Sequence, residues 1–410
     1  MLGNGATALI GIDHSLPIAA IAVGFRGGVR VETEATQGLA NLTAQLLTKG
    51  TKRHTASQIA EQVESLGGSL EPFSGRDGFG IMLQLLSKDL DQGLALMHEL
   101  VTESTFPEAE LATQQRLILN QLQAQDDEIF DVGGRLLRKS LFESHPYRFN
   151  PLGERATIQS LTRAQSTEFA KRWLAPSNTV IAVFGDIDQG AVGERLKKTF
   201  GAIPARATEW PDRLPEPPLT GVRDVKQTMK KEQTLIMLGF RGSTQIAPDR
   251  YAVDIMTAIL SGMSGRLFQG VREKHGLAYT LGAAHAPGWD PGALVVYAAT
   301  RPDEQGQVLQ LMDEELARAA AEGFTEEEVS QAKRFLIGGH RMDLQHLVGL
   351  AKRSVLDELF RLGYDAWTTY EDKINAVTLA QVNGAAKRYL TLNQCSQVVI
   401  SPANGHASPN

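Results

Sequence analysis

The chain has 410 residues, 42% hydrophobic and 21% charged, enough for two ordinary domains with proper cores at roughly 100–200 residues per domain. Its formal charge of −6 and its scattered basic residues argue against nucleic acid as a partner, because nucleic-acid binders gather Lys and Arg on one face. A single cysteine, Cys395, excludes an internal disulfide and a thiolate zinc cluster, and no run approaches the roughly 20 apolar residues that would span a bilayer.

The opening MLGNGATALIGIDHSLPIAA lacks the basic start and long apolar run of a secretory signal. That favours the cytoplasm and leaves open an exported protein whose leader has been removed. Ile18–Phe25 is apolar and β-prone, a strand ended by Gly27–Gly28. Gln37–Thr48 carries Leu39, Leu42, Leu46 and Leu47 at helical spacing, and Ala56–Leu66 is a second amphipathic helix closed by Gly67–Gly68. Phe79–Leu86 reads as a strand. Asp91–Glu103 and Glu108–Gln125 read as helices, the latter opened by Pro107. Thr179–Phe184 is a further strand-like run. The linker Ala205–Val222 holds four prolines, which suit neither helix interiors nor central strands. Beyond it, helices are expected at Arg250–Leu260, Gly265–Lys274, Glu304–Ala321 and Glu326–Gly338, and strands at Ala278–His285, Ala293–Ala299 and Gln397–Ile400.

The two halves repeat each other. Phe106–Leu111 (FPEAEL) recurs as Phe324–Val329 (FTEEEV), and Ala170–Leu174 (AKRWL) recurs at almost the same separation as Ala386–Leu390 (AKRYL). LDQGLALMHELV from Leu90 matches EQGQVLQLMDEEL from Glu304, and a strand-like run follows each AKR segment. Matched pieces in one order at nearly one offset mark two copies of one domain. The division is 1–204, a linker over 205–222, and 223–410.

Two segments carry a family likeness: Gly38–Thr51 (GLANLTAQLLTKGT) with the KRHTASQIAEQVESLGG after it, and Ser264–Tyr279 (SGRLFQGVREKHGLAY). With the duplication, they resemble the peptidase family of pitrilysin, insulin-degrading enzyme and mitochondrial processing peptidase, nearest its short, two-domain members that work as paired subunits. The resemblance implies an α+β fold of two tandem homologous domains, each a mixed, mostly antiparallel sheet with helices packed on one face. Active members carry H-x-x-E-H on the first helix, where histidines at i and i+4 share a face and hold zinc while the Glu acts on the bound water. Laid on this chain, the motif falls on Asn41, Leu42, Thr43, Ala44 and Gln45. Neutral amides are poor zinc ligands, and Ala44 cannot take a proton. The remaining ligand, a Glu on a later helix, falls near Gln121 in the run LILNQL, and the neighbouring Asn120 is also an amide. No metal is expected in this chain.

An Arg and a Tyr seven residues apart, which in the family reach the substrate from the second domain, map to Arg272 and Tyr279. A guanidinium and a neutral phenol are both donors suited to peptide carbonyls or a developing oxyanion. Read without the family, Arg272 with Lys274 and His275 would complement a helix C-terminus, and Tyr279 would be a strand aromatic. Gly276 supplies the turn between them. The small-residue turn Ser261–Gly265 with Arg266 is expected to let a substrate backbone approach.

The resemblance thus implies a heterodimer with an H-x-x-E-H sister subunit that holds the zinc, acting on an unfolded peptide bound as an added strand. A structural or peptide-binding scaffold, and a homodimer that captures peptides without cutting them, are the alternatives. His340 and His346 do not share a helix face, and His54, His98, His145 and His285 stand alone and read as satisfied residues. No Ser/His/Asp or Cys/His arrangement and no phosphate loop is apparent.

Overall fold

The computed structural model describes residues 1–212, 214–262 and 264–403; Arg213 of the linker, Met263 of the small-residue turn and residues 404–410 of the second expected domain lie outside them. The first copy contains β1 (Thr7–Ile12), β2 (Ile18–Arg26), α1 (Leu39–Leu47), α2 (Ala56–Ser65), β3 (Ser69–Ser74), β4 (Gly78–Leu86), α3 (Leu90–Glu103), α4 (Glu108–Asp127), α5 (Ile129–Leu141), α6 (Arg155–Ser160), α7 (Arg163–Trp173), β5 (Thr179–Gly185) and α8 (Gln189–Lys198). The second contains β6 (Arg223–Met229), β7 (Thr234–Arg241), α9 (Arg250–Leu260), β8 (Ala278–Ala286), β9 (Ala293–Thr300), α10 (Gln305–Glu322), α11 (Glu326–Asp343), α12 (Leu347–Leu359), α13 (Tyr370–Ala376), α14 (Leu379–Tyr389) and β10 (Ser396–Pro402). No helix among the described residues is long and apolar enough to cross a membrane.

The sheets are wired identically. One runs β1-β5-β2-β4-β3 and the other β6-β10-β7-β9-β8, which is the same order once each strand is replaced by its counterpart. In each, the outer pair (β1 with β5, β6 with β10) is parallel and the other three pairings are antiparallel. This is the mixed, mostly antiparallel α+β fold that the resemblance implies.

Side-chain alternation decides what each sheet face receives. Along β2, Ile21, Val23 and Phe25 enter a core with Leu42 and Leu46 of α1 and Leu94 and Met97 of α3. The intervening Ala20, Ala22 and Gly24 are small, and α12 packs over that face: a Cβ on Gly24 would sit 2.4 Å from Val355 Cγ1. In the second sheet Ile236, Leu238 and Phe240 of β7 join a core with Val253 and Met256 of α9. Leu235 and Met237 face the other way, onto Ile129, Val132 and Leu137 of α5. A Cβ on Gly239 would lie 2.8 Å from Leu137 Cδ1. Leu137 and Val355 thus hold equivalent places in the repeat, as do the GFR triplets Gly24–Arg26 and Gly239–Arg241.

Each sheet therefore borrows its second covering helix from the other half of the sequence. The chain divides into compact units of 1–122, 149–212 and 341–368, and of 123–148, 213–340 and 369–410. The halves 1–204 and 223–410 mark the repeat, whereas the compact units exchange α5 and α12. The linker is tied down locally. The guanidinium of buried Arg30 donates to the carbonyls of Pro211 and Asp212 and lies 4.7 Å from the Trp210 ring centre. Further on, Glu216 accepts from the backbone N–H groups of Glu143, Ser144 and His145 and from Arg241.

Candidate functional site

In α1, Gly38 caps the helix in the left-handed region at φ 85°, and the carboxylate of buried Glu32 accepts from Gly38 N at 2.9 Å and Ala40 N at 2.8 Å. These bonds satisfy donors that a helix start leaves open. Leu39, Leu42, Leu46 and Leu47 are buried as their spacing requires. Asn41 is 8% exposed and its Nδ2 has no hydrogen-bond partner; Ala44 is fully buried and Gln45 half-buried. Asn120 and Gln121 are exposed on α4, and among the described residues no hydrogen bond joins Gln121 to either α1 amide. Two carboxamides and a methyl group offer a zinc ion neither a strong ligand nor a base for its water, so these residues do not fit the metal.

The second unit presents Arg272 and Tyr279 together. The segment expected to be an α-helix over Gly265–Lys274 instead contains a π-helical turn, Phe268–Glu273, in which Lys274 N bonds Gln269 O at 3.3 Å. Such turns widen the helix by one residue and recur at functional positions. The Gly276 N–H closes the turn on Arg272 O at 2.8 Å, with φ 70° at Gly276. A Cβ there would meet nothing, so the backbone conformation rather than space calls for glycine. The chain then enters β8, the last strand of its sheet. The β8–β9 register slips between Ala278 and Thr280, so Tyr279 is the extra residue of a bulge. Bulges re-aim side chains, and Tyr279 stands 74% exposed instead of packing as a strand aromatic. Arg272 Nη1 donates to the Tyr279 carbonyl at 3.0 Å, and its guanidinium lies 4.9 Å from the Phe268 ring centre. Arg272 thus bonds the strand, not the carbonyls of its own helix end.

Arg266 departs from expectation. Its guanidinium grips Glu328 through two bonds, approaches Glu315 at 3.6 Å and stacks on Phe324. A Cβ on Gly265 would meet Ser261 O at 2.1 Å. Gly265 is therefore crowded by its own chain, whereas a Cβ on Gly262 in the same turn would meet nothing, and Arg266 is committed to Glu328.

Several histidines have carboxylate partners: His54 Nδ1 with Glu99 at 2.8 Å, and buried His145 Nε2 with Asp290 at 2.8 Å. Contrary to the expectation from sequence, a Ser/His/Asp arrangement is also present. His285 Nδ1 lies 2.7 Å from Asp254 Oδ1, and its Nε2 lies 3.1 Å from Ser243 Oγ. Ser243 follows β7 by two residues, Asp254 lies in α9 and His285 in β8. Their separations in sequence follow no motif, so no local signal could have revealed them.

The chain has relatives among known proteins. The family description "Insulinase (Peptidase family M16)" matches residues 9–155, and "Peptidase M16 inactive domain" matches 160–336. An uncharacterized zinc protease of Mycobacterium leprae is 30% identical over 389 residues, covering 92% of this chain and 86% of that one. The uncharacterized zinc protease YmxG of Bacillus subtilis is 27% identical over 409 residues, covering 99% of this chain and 98% of its own. A crystal structure of a peptidase M16 inactive domain from Pseudomonas fluorescens shares the fold with a TM-score of 0.91 at 24% identity, covering 100% of this chain and 98% of that one.

Proposed function

Because the chain belongs to peptidase family M16, the insulinase family, we propose that it is the non-catalytic subunit of a heterodimeric zinc metallopeptidase that processes or degrades peptides. An H-x-x-E-H sister subunit would hold the zinc and supply the metal-activated water. This chain would supply Arg272 and Tyr279. The observation that carries the reading is the pairing of an exposed phenol on an edge-strand bulge with a guanidinium bonded to the same residue's carbonyl, in a chain whose α1 carries no imidazole, thiolate or carboxylate.

Arg272 has further guanidinium N–H groups to offer a peptide carbonyl, and Tyr279 a neutral O–H. Both are donors to an oxygen that gains negative charge as water attacks, and such donors act most strongly where water is excluded. β8, at the end of its sheet, gives an extended peptide a strand to pair with.

Zinc content, complex formation and peptide hydrolysis are measured for the isolated chain, the sister chain and their mixture. The isolated chain is expected to hold far less than one zinc per molecule and to leave peptides uncut, whereas the mixture cuts them. Arg272→Ala and Tyr279→Phe lower kcat/KM of the complex by about tenfold or more, with assembly unchanged. Full activity in both variants, or stoichiometric zinc with peptide turnover in the lone chain, would overturn the reading.

A further inference from the structure

The hydrogen-bonded chain Asp254–His285–Ser243 lies within the second unit, and none of its members belongs to the Arg272–Tyr279 pair. The His285 ring is nearly buried, at 2% side-chain exposure, so its orientation is fixed. With Nδ1–H given to the Asp254 carboxylate, Nε2 is left as an acceptor 3.1 Å from the Ser243 hydroxyl, which also lies 3.3 Å from the Thr244 carbonyl oxygen. A buried network of this kind can serve simply to satisfy its own polar atoms. Ser243, however, also lines an open cavity of about 340 Å³ with Arg241, Leu219, Arg388, Tyr389 and Thr391. Its volume lies near the small end of the usual range for ligand pockets, roughly 300–1,000 Å³. Arg388 brings a permanent charge to that cavity, with one nitrogen bonded to Asp249 at 2.9 Å and the side chain 70% exposed.

We propose that Ser243, His285 and Asp254 form a second, metal-independent catalytic centre that hydrolyses small acyl esters. Ser243 Oγ forms a bond to the ester carbonyl carbon while its proton passes to His285 Nε2. Collapse breaks the bond to the alcohol oxygen, which leaves with that proton. Water then attacks the acyl-serine, gives a proton to Nε2, and releases the carboxylic acid as the proton returns to Ser243 Oγ. Asp254 is a positioning residue that holds the imidazole in the accepting tautomer. The cavity's volume suits a short acyl group, and of the three residues it is Ser243 that lines it.

The whole chain is treated with a fluorophosphonate and its adduct located by peptide mass, and p-nitrophenyl acetate hydrolysis is followed with a metal chelator present. The expected result is a single adduct on Ser243, absent from Ser243→Ala, with hydrolysis at least tenfold lower in Ser243→Ala and in His285→Gln. Removing one hydroxyl leaves the fold intact, which an unchanged circular dichroism spectrum verifies. Asp254→Asn is expected to lower kcat with KM unchanged and to displace the pH profile. An unlabelled Ser243 in the native protein, or equal hydrolysis by Ser243→Ala, overturns the proposal. An unmoved pH profile in folded Asp254→Asn overturns that residue's part. Neither readout involves zinc or a partner chain, so failure here is distinguishable from failure of the peptidase reading.

Discussion

Glu32 shows how the frame of α1 is built from a residue that sequence reasoning passed over. Burial pushes its carboxyl up to about 8, against the two backbone N–H groups of Ala40 and Gly38 that pull it down. Its folded value therefore lies above the ordinary 4.5. The stability tied to this proton is complete below the ordinary value and is lost as pH rises through about 8. Glu32→Gln removes the titration, so its melting temperature is expected to fall less between about pH 5 and 8.5 than that of the parent. Parallel slopes, measured by calorimetry, would show that Glu32 does not titrate in this range. The α1 amides and Ala44 were legible as residue types at motif positions, because i and i+4 spacing needs only the helix. The burial of Asn41 and the carboxylate beneath Gly38 depend on packing that no local pattern encodes.

At the scale of elements, the duplicated contact between a glycine and a crossing helix constrains both sheets in the same way. Val355 rests over Gly24, and its counterpart Leu137 rests over Gly239. Adding a methyl group at either glycine overfills the interface. Gly24→Ala and Gly239→Ala are each expected to cost about 1–3 kcal/mol, read as a drop in the denaturant midpoint. Val355→Ala should return part of the loss in Gly24→Ala but none in Gly239→Ala, a double-mutant pattern that follows from which atoms meet. The strands Ile18–Arg26 and Gly78–Leu86 were legible because they are apolar and bounded by turn residues. β6 was not: RDVKQTM is a largely exposed and polar edge, paired on one side by β10. The turn carrying Arg272 was legible as helical but not as π-helical, since a six-residue segment is too short for its apolar spacing to fix the period.

For the whole molecule, the exchange of α5 and α12 means that neither half of the sequence contains both coverings of its own sheet. Expressed alone, residues 1–204 would expose Ala20, Ala22 and Gly24 with the rest of that sheet face, and residues 223–410 would expose Leu235, Met237, Val398 and Ile400. Each half is expected to be insoluble or to lack cooperative unfolding, whereas co-expression restores a folded complex. Cooperative melting of either isolated half would contradict the exchange.

The sequence by itself determined the duplication, the α+β class, the absence of zinc-binding side chains on α1, and the Arg272–Tyr279 spacing. Those properties rest on residue identity and on the short periods of helix and strand. The tertiary structure alone decided which helix covers which sheet, that Arg266 is spent on Glu328, that Tyr279 stands out on a bulge, and that Ser243, Asp254 and His285 meet. Each of those depends on segments distant in the chain being brought within a few ångströms, and that proximity is set by the packing of whole sheet faces.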